Sequence, residues 1–500
     1  MSLLIVNAKI IPRPADPAVD ALLIRDGRIR ELGPSATLRA RAPEATPLDA
    51  AGRYLCPGFQ DAHFHFLQFA RGLGRPWLDD CATRDDFRDA VAAAVARHVG
   101  EAPIILEGWD ETGWSTPERP TRADLDAISG ERPIIARRVC GHVGVVNRAG
   151  LALLRERWNG PGIDEDTGWL DEGPVVVLDN LLPPDRIEAL EALERAGAVC
   201  HRLGITTATD YPHPNEVPLW PELVPHLPLR VTVWIRHPAN ERHVAALPRT
   251  DRFRSCGIKI FSDGAIGGRT AALRTPYADR AGGTGQLVYE PERLRAMVRA
   301  EHDRGRSLAI HAIGDRAIEE VIGAYEALGE DLTGRGHRIE HFELAADDHL
   351  ARVRELGVIA SVQPNFLRWA NDGGLYESAL GAARRDGMNR FGSILRGGGR
   401  ICFGSDGMPA GPRLGIRLAA TREPAAERID DETGIRLYTE AAADATPGAP
   451  CRGRLAPGEI ADLVLMEDLP SRSEREDVDV TILDGRVVWS REPATNARRG

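Results

Sequence analysis

The sequence predicts an α/β protein, a (β/α)8 TIM-like barrel with a small composite β-sandwich formed by both chain ends. Three observations carry that expectation. Short apolar runs recur through the middle of the chain, with amphipathic helix-like stretches between most of them. The two ends share a different texture, short alternating strands with tight Asp-Gly turns. The length, 500 residues, suits a large barrel plus an accessory domain.

In chain order, residues 1–56 read as sandwich strands: "LLIVNAKII", "ALLIRDGRIREL" around Asp26-Gly27, and "RYLCPGF". Residues 447–500 repeat the style in "ADLVLMED" and "VDVTILDGRVVWS", with a second turn at Asp484-Gly485, so strands of the two ends can pair in one domain. Residues 57–446 hold the barrel. Its eight candidate strands are "GFQDAHFHF", "GITTATDY", "LRVTVWIR", "GIKIFSDG", "SLAIHAIGD", "HRIEHFE", "GVIASVQP" and "RICFGSDG". "PERLRAMVRAEHDRG" and "DDHLARVRELG" supply helices before the fifth and seventh. The first and second strands stand roughly 130 residues apart, too far for a plain loop. An insertion with its own structure, about 72–200, is expected there; it carries "APIILEGWDETGW" and "RPIIARRVCGHVGVVN".

Composition narrows the function classes. A hydrophobic content of 43% and a charged content of 27% are ordinary for a globular protein. With a net charge of −11 and no basic stripe, a nucleic-acid partner is not expected. No run of 18 apolar residues exists, so no membrane span is expected. The opening "MSLLIVNAKIIPRP" has neither a basic region nor a small-residue cleavage site and reads as a first strand. The seven cysteines form no C-x-x-C pair and read as reduced core thiols of a cytoplasmic protein. A homo-oligomer is compatible with such a chain.

Barrel enzymes carry their chemistry at the C-terminal ends of the strands. Those ends place His63 and His65 on the first strand, Lys259 on the fourth, His311 on the fifth, His341 on the sixth and Asp406 on the eighth. Imidazole and carboxylate suit zinc and similar divalent ions, so one or two divalent metals per chain, zinc above all, are the expected cofactor. In a strand, i and i+2 point the same way, so "HFH" aims both imidazoles together. Any single histidine reads more simply as a surface or core residue; the ordered set of strand-end ligands is what argues for metal.

Lys259 stands out further. Lysine and arginine total 63, yet Lys9 and Lys259 are the two lysines, and Lys259 sits between two isoleucines of an apolar strand. Desolvation favours its neutral amine, which can add carbon dioxide and become an anionic, two-oxygen carbamate able to bridge two cations. The plainer alternative is an ammonium paired with Asp263. Asp406 suits both metal ligation and acceptance of the attacking water's proton, the catalytic role; its plainer reading is a helix N-cap.

With these residues in place, the chain resembles the amidohydrolase superfamily in its YtcJ-like branch. "PGFQDAHFHF", "GHVGVVNRAGL", "GIKIFSDGAIGGRTAALRTPY", "AIHAIGDRAI", "RIEHFE", "GVIASVQPNF" and "APGEIADLVLME" look like that branch's motifs in order, over nearly the whole chain. The resemblance implies a metal-dependent barrel with a composite sandwich, and metal binding by His63, His65, Lys259, His311, His341 and Asp406. The chain departs from the branch after Asp406, in "GSDGMPAGP".

For the substrate side, the candidates are His142, Trp109, Asp263 and Gln363, with Trp114 and Asn365 behind them; Asp315, four residues after His311, is a candidate support for that histidine. The expected reaction is hydrolysis of a C–N bond of a small-molecule amide or cyclic amide by a metal-activated hydroxide. Two other classes stand beside it. A deaminase of the same fold typically has a glutamate three residues after the fifth-strand histidine, where this chain has Gly314. A non-catalytic barrel scaffold usually loses ligands, whereas this chain shows all six.

Overall fold

The structure, a computed structural model, describes residues 2–98, 102–111, 114–116, 118–139, 143–171, 173–448 and 452–491. One compact unit comprises Met1–Phe69 with Leu193–Gly500, and Ala70–Ala192 forms another.

All eight barrel strands are present: β1 (Phe59–Asp61), β2 (Ile205–Asp210), β3 (Arg230–Arg236), β4 (Phe253–Phe261), β5 (Ser307–Ala312), β6 (Arg338–His341), β7 (Ile359–Val362) and β8 (Arg400–Phe403). They lie in one parallel sheet in sequence order. The two ends of that sheet meet where Ala62 N–H donates to the Phe403 carbonyl at 3.2 Å and Asp406 N–H to the His63 carbonyl at 2.6 Å. Parallel strands buried on both faces need apolar side chains outward and a packed interior. In β4, Ile258 and Ile260 face the helix-side core while Lys259, between them, points the other way.

The helices cover the barrel through apolar stripes. Helix Asp315–Glu326 buries Ala317, Ile318, Val321, Ile322 and Tyr325. Helix Pro291–Asp303 starts with proline, which needs no donor there. Helix Asp347–Leu356 ends at Gly357 in the left-handed region, φ 71°.

The sandwich has a four-stranded sheet ordered Arg28–Gly33, Ala21–Arg25, Ser2–Val6, Thr46–Asp49. Its five-stranded sheet runs Lys9–Ile10, Tyr54–Pro57, Leu463–Met466, Val480–Leu483, Arg486–Ser490, so N- and C-terminal strands pair directly. Leu3, Ile5, Leu22, Ile24, Leu55, Leu463, Leu465 and Ile482 form the core between them. Both Asp-Gly pairs have positive φ at each residue, as a tight hairpin turn demands. Arg230, fully buried on β3, ties barrel to sandwich: its Nε donates to Asp462 at 2.6 Å, and its guanidinium also pairs with Asp484.

The insertion has its own four-stranded sheet, ordered Trp169–Asp171, Val143–Val146, Ile134–Arg138, Ile104–Trp109. Leu106, Trp109, Trp114, Leu125, Ile134 and Val145 share its core. Among the described residues, no helix is long and apolar enough to cross a membrane.

Candidate metal centre

The expected ligands converge at the C-terminal ends of the strands, with one correction to their placement. β1 stops at Asp61, so His63 and His65 stand beyond it and strand alternation does not aim them. Backbone conformation does. His65, His341 and Asp406 all adopt left-handed φ, 59°, 70° and 61°. For residues with a Cβ this is unfavourable and is retained where the surroundings enforce it, as at functional sites.

Four imidazoles form a chain of neighbours: His65 to His63 with ring centroids 5.3 Å apart, His63 to His341 at 4.6 Å, and His341 to His311 at 4.5 Å. Asp406 Oδ1 lies 3.2 Å from His65 Nε2 and 3.5 Å from His63 Nε2. The ligating atoms of His63, His341 and Asp406 all fall within 4.8 Å of one another. His311 Nε2 donates to the Gly264 carbonyl at 3.0 Å, so Nδ1 is the ring nitrogen left to ligate.

Lys259 is wholly buried beside this group, its Nζ 4.4 Å from the centroid of Tyr211 and 5.0 Å from that of Phe261. The expected alternative, an ion pair with Asp263, is not formed. Asp263 accepts from the N–H groups of Ile313 (3.1 Å), Ala272 (2.9 Å) and Gly314 (2.9 Å), and His311 Nε2 stands 3.2 Å away. This buried carboxylate therefore staples two loops beside His311, a structural employment rather than the substrate contact the sequence suggested.

The donor set fits a divalent cation. His63 Nε2, His341 Nδ1 and Lys259 Nζ are buried and have no hydrogen-bond partner among the described residues. Burial holds His63, His65 and His341 well below the usual imidazole range, in the neutral form that ligates metal. Burial likewise pushes the Lys259 ammonium down, toward the free amine, and the Asp406 carboxyl up. Asp406 thus has the raised affinity for a proton that a general base needs near neutral pH.

The other candidates distribute as follows. His142 lies outside the described residues. Trp109 is a core residue of the insertion: it is 1% exposed, its indole N–H donates to the Ala136 carbonyl at 3.3 Å, and Trp114 packs 6.4 Å from it. Gln363, just past β7, is buried; its Nε2 donates to the Ser361 carbonyl at 3.2 Å and its Oε1 has no partner among the described residues. Asn365 donates to the Pro409 and Gly411 carbonyls and accepts from Tyr438, a structural employment. Asp315 accepts from the Arg274 N–H at 2.8 Å, away from His311's own hydrogen bond to Gly264.

Three residues of the site, Glu340, Arg338 and Asp61, escaped the sequence reading. Glu340 Oε2 accepts from His63 Nδ1 at 2.5 Å, and its Oε1 lies 2.5 Å from Arg338 Nε. Arg338 also donates to the Ala62 carbonyl (3.0 Å) and the Tyr211 hydroxyl (2.8 Å). Asp61 accepts from Ser405 N–H (2.8 Å), Ser405 Oγ (2.5 Å) and His63 N–H (3.3 Å), and burial pushes its carboxyl up to about 7. The available signal was two charges, Arg338 and Glu340, two apart in a strand otherwise buried.

Known proteins share this architecture. The pattern of the amidohydrolase family fits residues 47–489, and that of the bacterial imidazolonepropionase-like composite domain fits residues 21–45. YtcJ of Bacillus subtilis (strain 168), an amidohydrolase by name, is 27% identical over 519 residues, covering 94% of this chain and 96% of its own. N-substituted formamide deformylase of Arthrobacter pascens is 24% identical, covering 98% of each chain. The crystal structure of an uncharacterized metal-dependent hydrolase from Pyrococcus furiosus superposes with a TM-score of 0.81 at 25% identity, over 94% of this chain and 100% of that one.

Proposed function

Because the chain belongs to the amidohydrolase family, in its YtcJ-like branch, we propose that it is a metal-dependent hydrolase cleaving a C–N bond of a small-molecule amide or cyclic amide. The observation that carries this reading is the buried convergence of His63, His341 and Asp406, with His65, His311 and Lys259 around them and unpartnered nitrogens among them. A divalent ion, zinc on the chemistry of the donors, supplies a Lewis acid for the carbonyl and acidifies water when bound.

The chain's own residues do the rest. His63, His65 and His341 hold neutral lone pairs in place, and His311 stands beside them. Lys259, desolvated to its free amine, adds carbon dioxide: an N–C bond forms, one N–H proton leaves to solvent, and the resulting carbamate offers two anionic oxygens. Asp406 takes the proton of the attacking water at its carboxylate and returns it to the departing nitrogen, which must leave as a neutral amine. Its raised proton affinity suits both halves of that transfer.

No feature favours deamination, since Gly314 occupies the place of the expected glutamate and its N–H bonds Asp263. The thiols of Cys56, Cys200, Cys256 and Cys402 are free and buried, which supports a cytoplasmic setting.

The test is a panel of formamides, N-acyl amino acids, hydantoin-like rings and lactones, offered to chelator-stripped protein before and after Zn2+ is restored. Zn2+-dependent release of amine supports the proposal. Full activity without metal, or turnover of lactones alone, would overturn it.

A further inference from the structure

We infer that Glu340, oriented by Arg338, is a positioning residue that fixes which ring nitrogen of His63 is available to the metal; this rests on the metal-centre reading above. The sequence places Arg338 and Glu340 two apart on β6, so their side chains share the barrel interior. Both are fully buried. Each oxygen of the Glu340 carboxylate has its own neighbour: Oε2 the His63 Nδ1 at 2.5 Å, Oε1 the Arg338 Nε at 2.5 Å. A carboxylate can only accept, so Nδ1 of His63 must carry the proton and Nε2 must carry the lone pair. Nε2 is the atom that faces Asp406 at 3.5 Å and lacks a hydrogen-bond partner.

The His63 ring cannot escape by turning over. Tyr211 and His341 pack on it with centroids 4.6 Å away, and His65 lies at 5.3 Å. Arg338 is itself held by the Ala62 carbonyl, the Tyr211 hydroxyl and the face of Trp234, 4.3 Å from its guanidinium carbon.

The arrangement makes an isosteric change unusually informative. In Glu340→Gln the new side chain has one acceptor and one donor end. Arg338 has only donors, so the amide oxygen must face Arg338 and the amide NH2 must face His63 Nδ1. His63 is then forced to accept at Nδ1 and to carry its proton on Nε2, which blocks the ligating atom. Removing the guanidinium as well, in Arg338→Met with Glu340→Gln, frees the amide to turn its oxygen back to His63.

The experiment measures Zn2+ affinity of chelator-stripped protein by competition with a chromophoric chelator, with His63→Ala as reference, and reads the His63 tautomer by long-range 1H–15N correlation on 15N-histidine-labelled metal-free protein. Glu340→Gln should lose about 10–100-fold in Zn2+ affinity, the range typical for a residue that orients a metal-ligating histidine. Its His63 should change from the Nδ1–H to the Nε2–H form, and the double variant should regain part of the affinity. A purely structural role for Glu340 would weaken folding without switching the tautomer. Unchanged Zn2+ affinity in Glu340→Gln, or an unchanged tautomer, overturns this inference alone, provided His63→Ala still weakens the wild-type affinity. If His63→Ala leaves Zn2+ affinity untouched, the metal-centre reading falls and this inference with it. Should the double variant not fold, the tautomer of the single variant decides.

Discussion

Replacing Lys259 by methionine should abolish activity and yet stabilise the metal-free fold. The side chain is wholly buried and its Nζ has no hydrogen-bond partner among the described residues. Keeping a charge in such a place costs several kcal/mol even after relaxation, and keeping the amine neutral instead costs about 1.4 kcal/mol for each unit its pKa is lowered. The rings of Tyr211 at 4.4 Å and Phe261 at 5.0 Å return part of this, on the order of 1–2 kcal/mol each. Methionine occupies similar volume without the charge, so neither a large cavity nor overpacking offsets the gain. The expected net stabilisation is about 2 kcal/mol, a rise of a few degrees in midpoint for a chain of this size. The pH dependence has a definite sign. Burial lowers Lys259 below its ordinary 10.5, so the unfolded chain binds the extra proton between the folded pKa and 10.5. Native stability of the wild type therefore rises with pH through that window, and the methionine variant's advantage should be largest near neutrality and fade by about pH 10.5. Thermal unfolding of chelator-stripped protein in carbon dioxide-free buffer at two pH values measures this. Adding Zn2+ and bicarbonate should reverse the order, because only the wild type then gains a ligand. A methionine variant that melts below metal-free wild type would show the ammonium to be a net stabiliser and refute the reasoning.

Asp406→Asn should lower kcat by roughly 10²-fold or more while retaining bound Zn2+, measured by steady-state kinetics beside elemental analysis. Lys259→Arg should be inactive, whereas Lys259→Ala should recover part of its activity with added propionate, which can stand in for the carbamate; guanidinium cannot become an anionic ligand. His337 accepts the Leu308 N–H at Nδ1 (3.0 Å) and meets His302 at Nε2 (2.9 Å), and burial takes it from 6.5 down to about 4. The unfolded chain takes up its proton first, so about 3 kcal/mol of stability should disappear between pH 6.5 and pH 4, and His337→Gln should flatten that part of the urea-midpoint profile. Trp109→Phe should cost about 1 kcal/mol of stability by stranding the Ala136 carbonyl, with kcat/KM unchanged on the best amide substrate.

The eight barrel strands were legible because parallel strands buried on both faces must be apolar runs, and such runs stand out between amphipathic helices. The candidate ligands stood out for a related reason: a histidine, a lysine or an aspartate has an ordinary reading alone, and the ordered set at successive strand ends is what singles them out. What the sequence hid was long-range. Asp263 looked available to a substrate until the fold brought the amides of Ala272, Ile313 and Gly314 onto its two oxygens. Trp109 looked like a pocket wall because an aromatic in a glycine-flanked turn has the same local signature as one that fills a core. Glu340 was masked by its neighbour: beside a strong metal candidate at His341, an adjacent acid reads as a surface charge, and only the spatial approach of His63, on the first strand's loop, gives it a purpose.

The left-handed backbone at His65, His341 and Asp406 was equally invisible, and it bears on how the site is held together. Each such residue costs on the order of 1–3 kcal/mol, and each buried unpartnered donor or acceptor a similar amount. The scaffold therefore carries a local deficit at its C-terminal mouth, set against the apolar core beneath it and the Arg230–Asp462 tie to the sandwich. A ligand that binds the folded state alone offsets such a deficit, by about 4 kcal/mol at a free concentration a thousand times its Kd. Stability of this chain should then depend steeply on free Zn2+, and most of that dependence should vanish in His63→Ala, which removes a donor without touching the strained backbone. Equal midpoints with and without Zn2+ in the wild type would mean that the strain serves something other than metal.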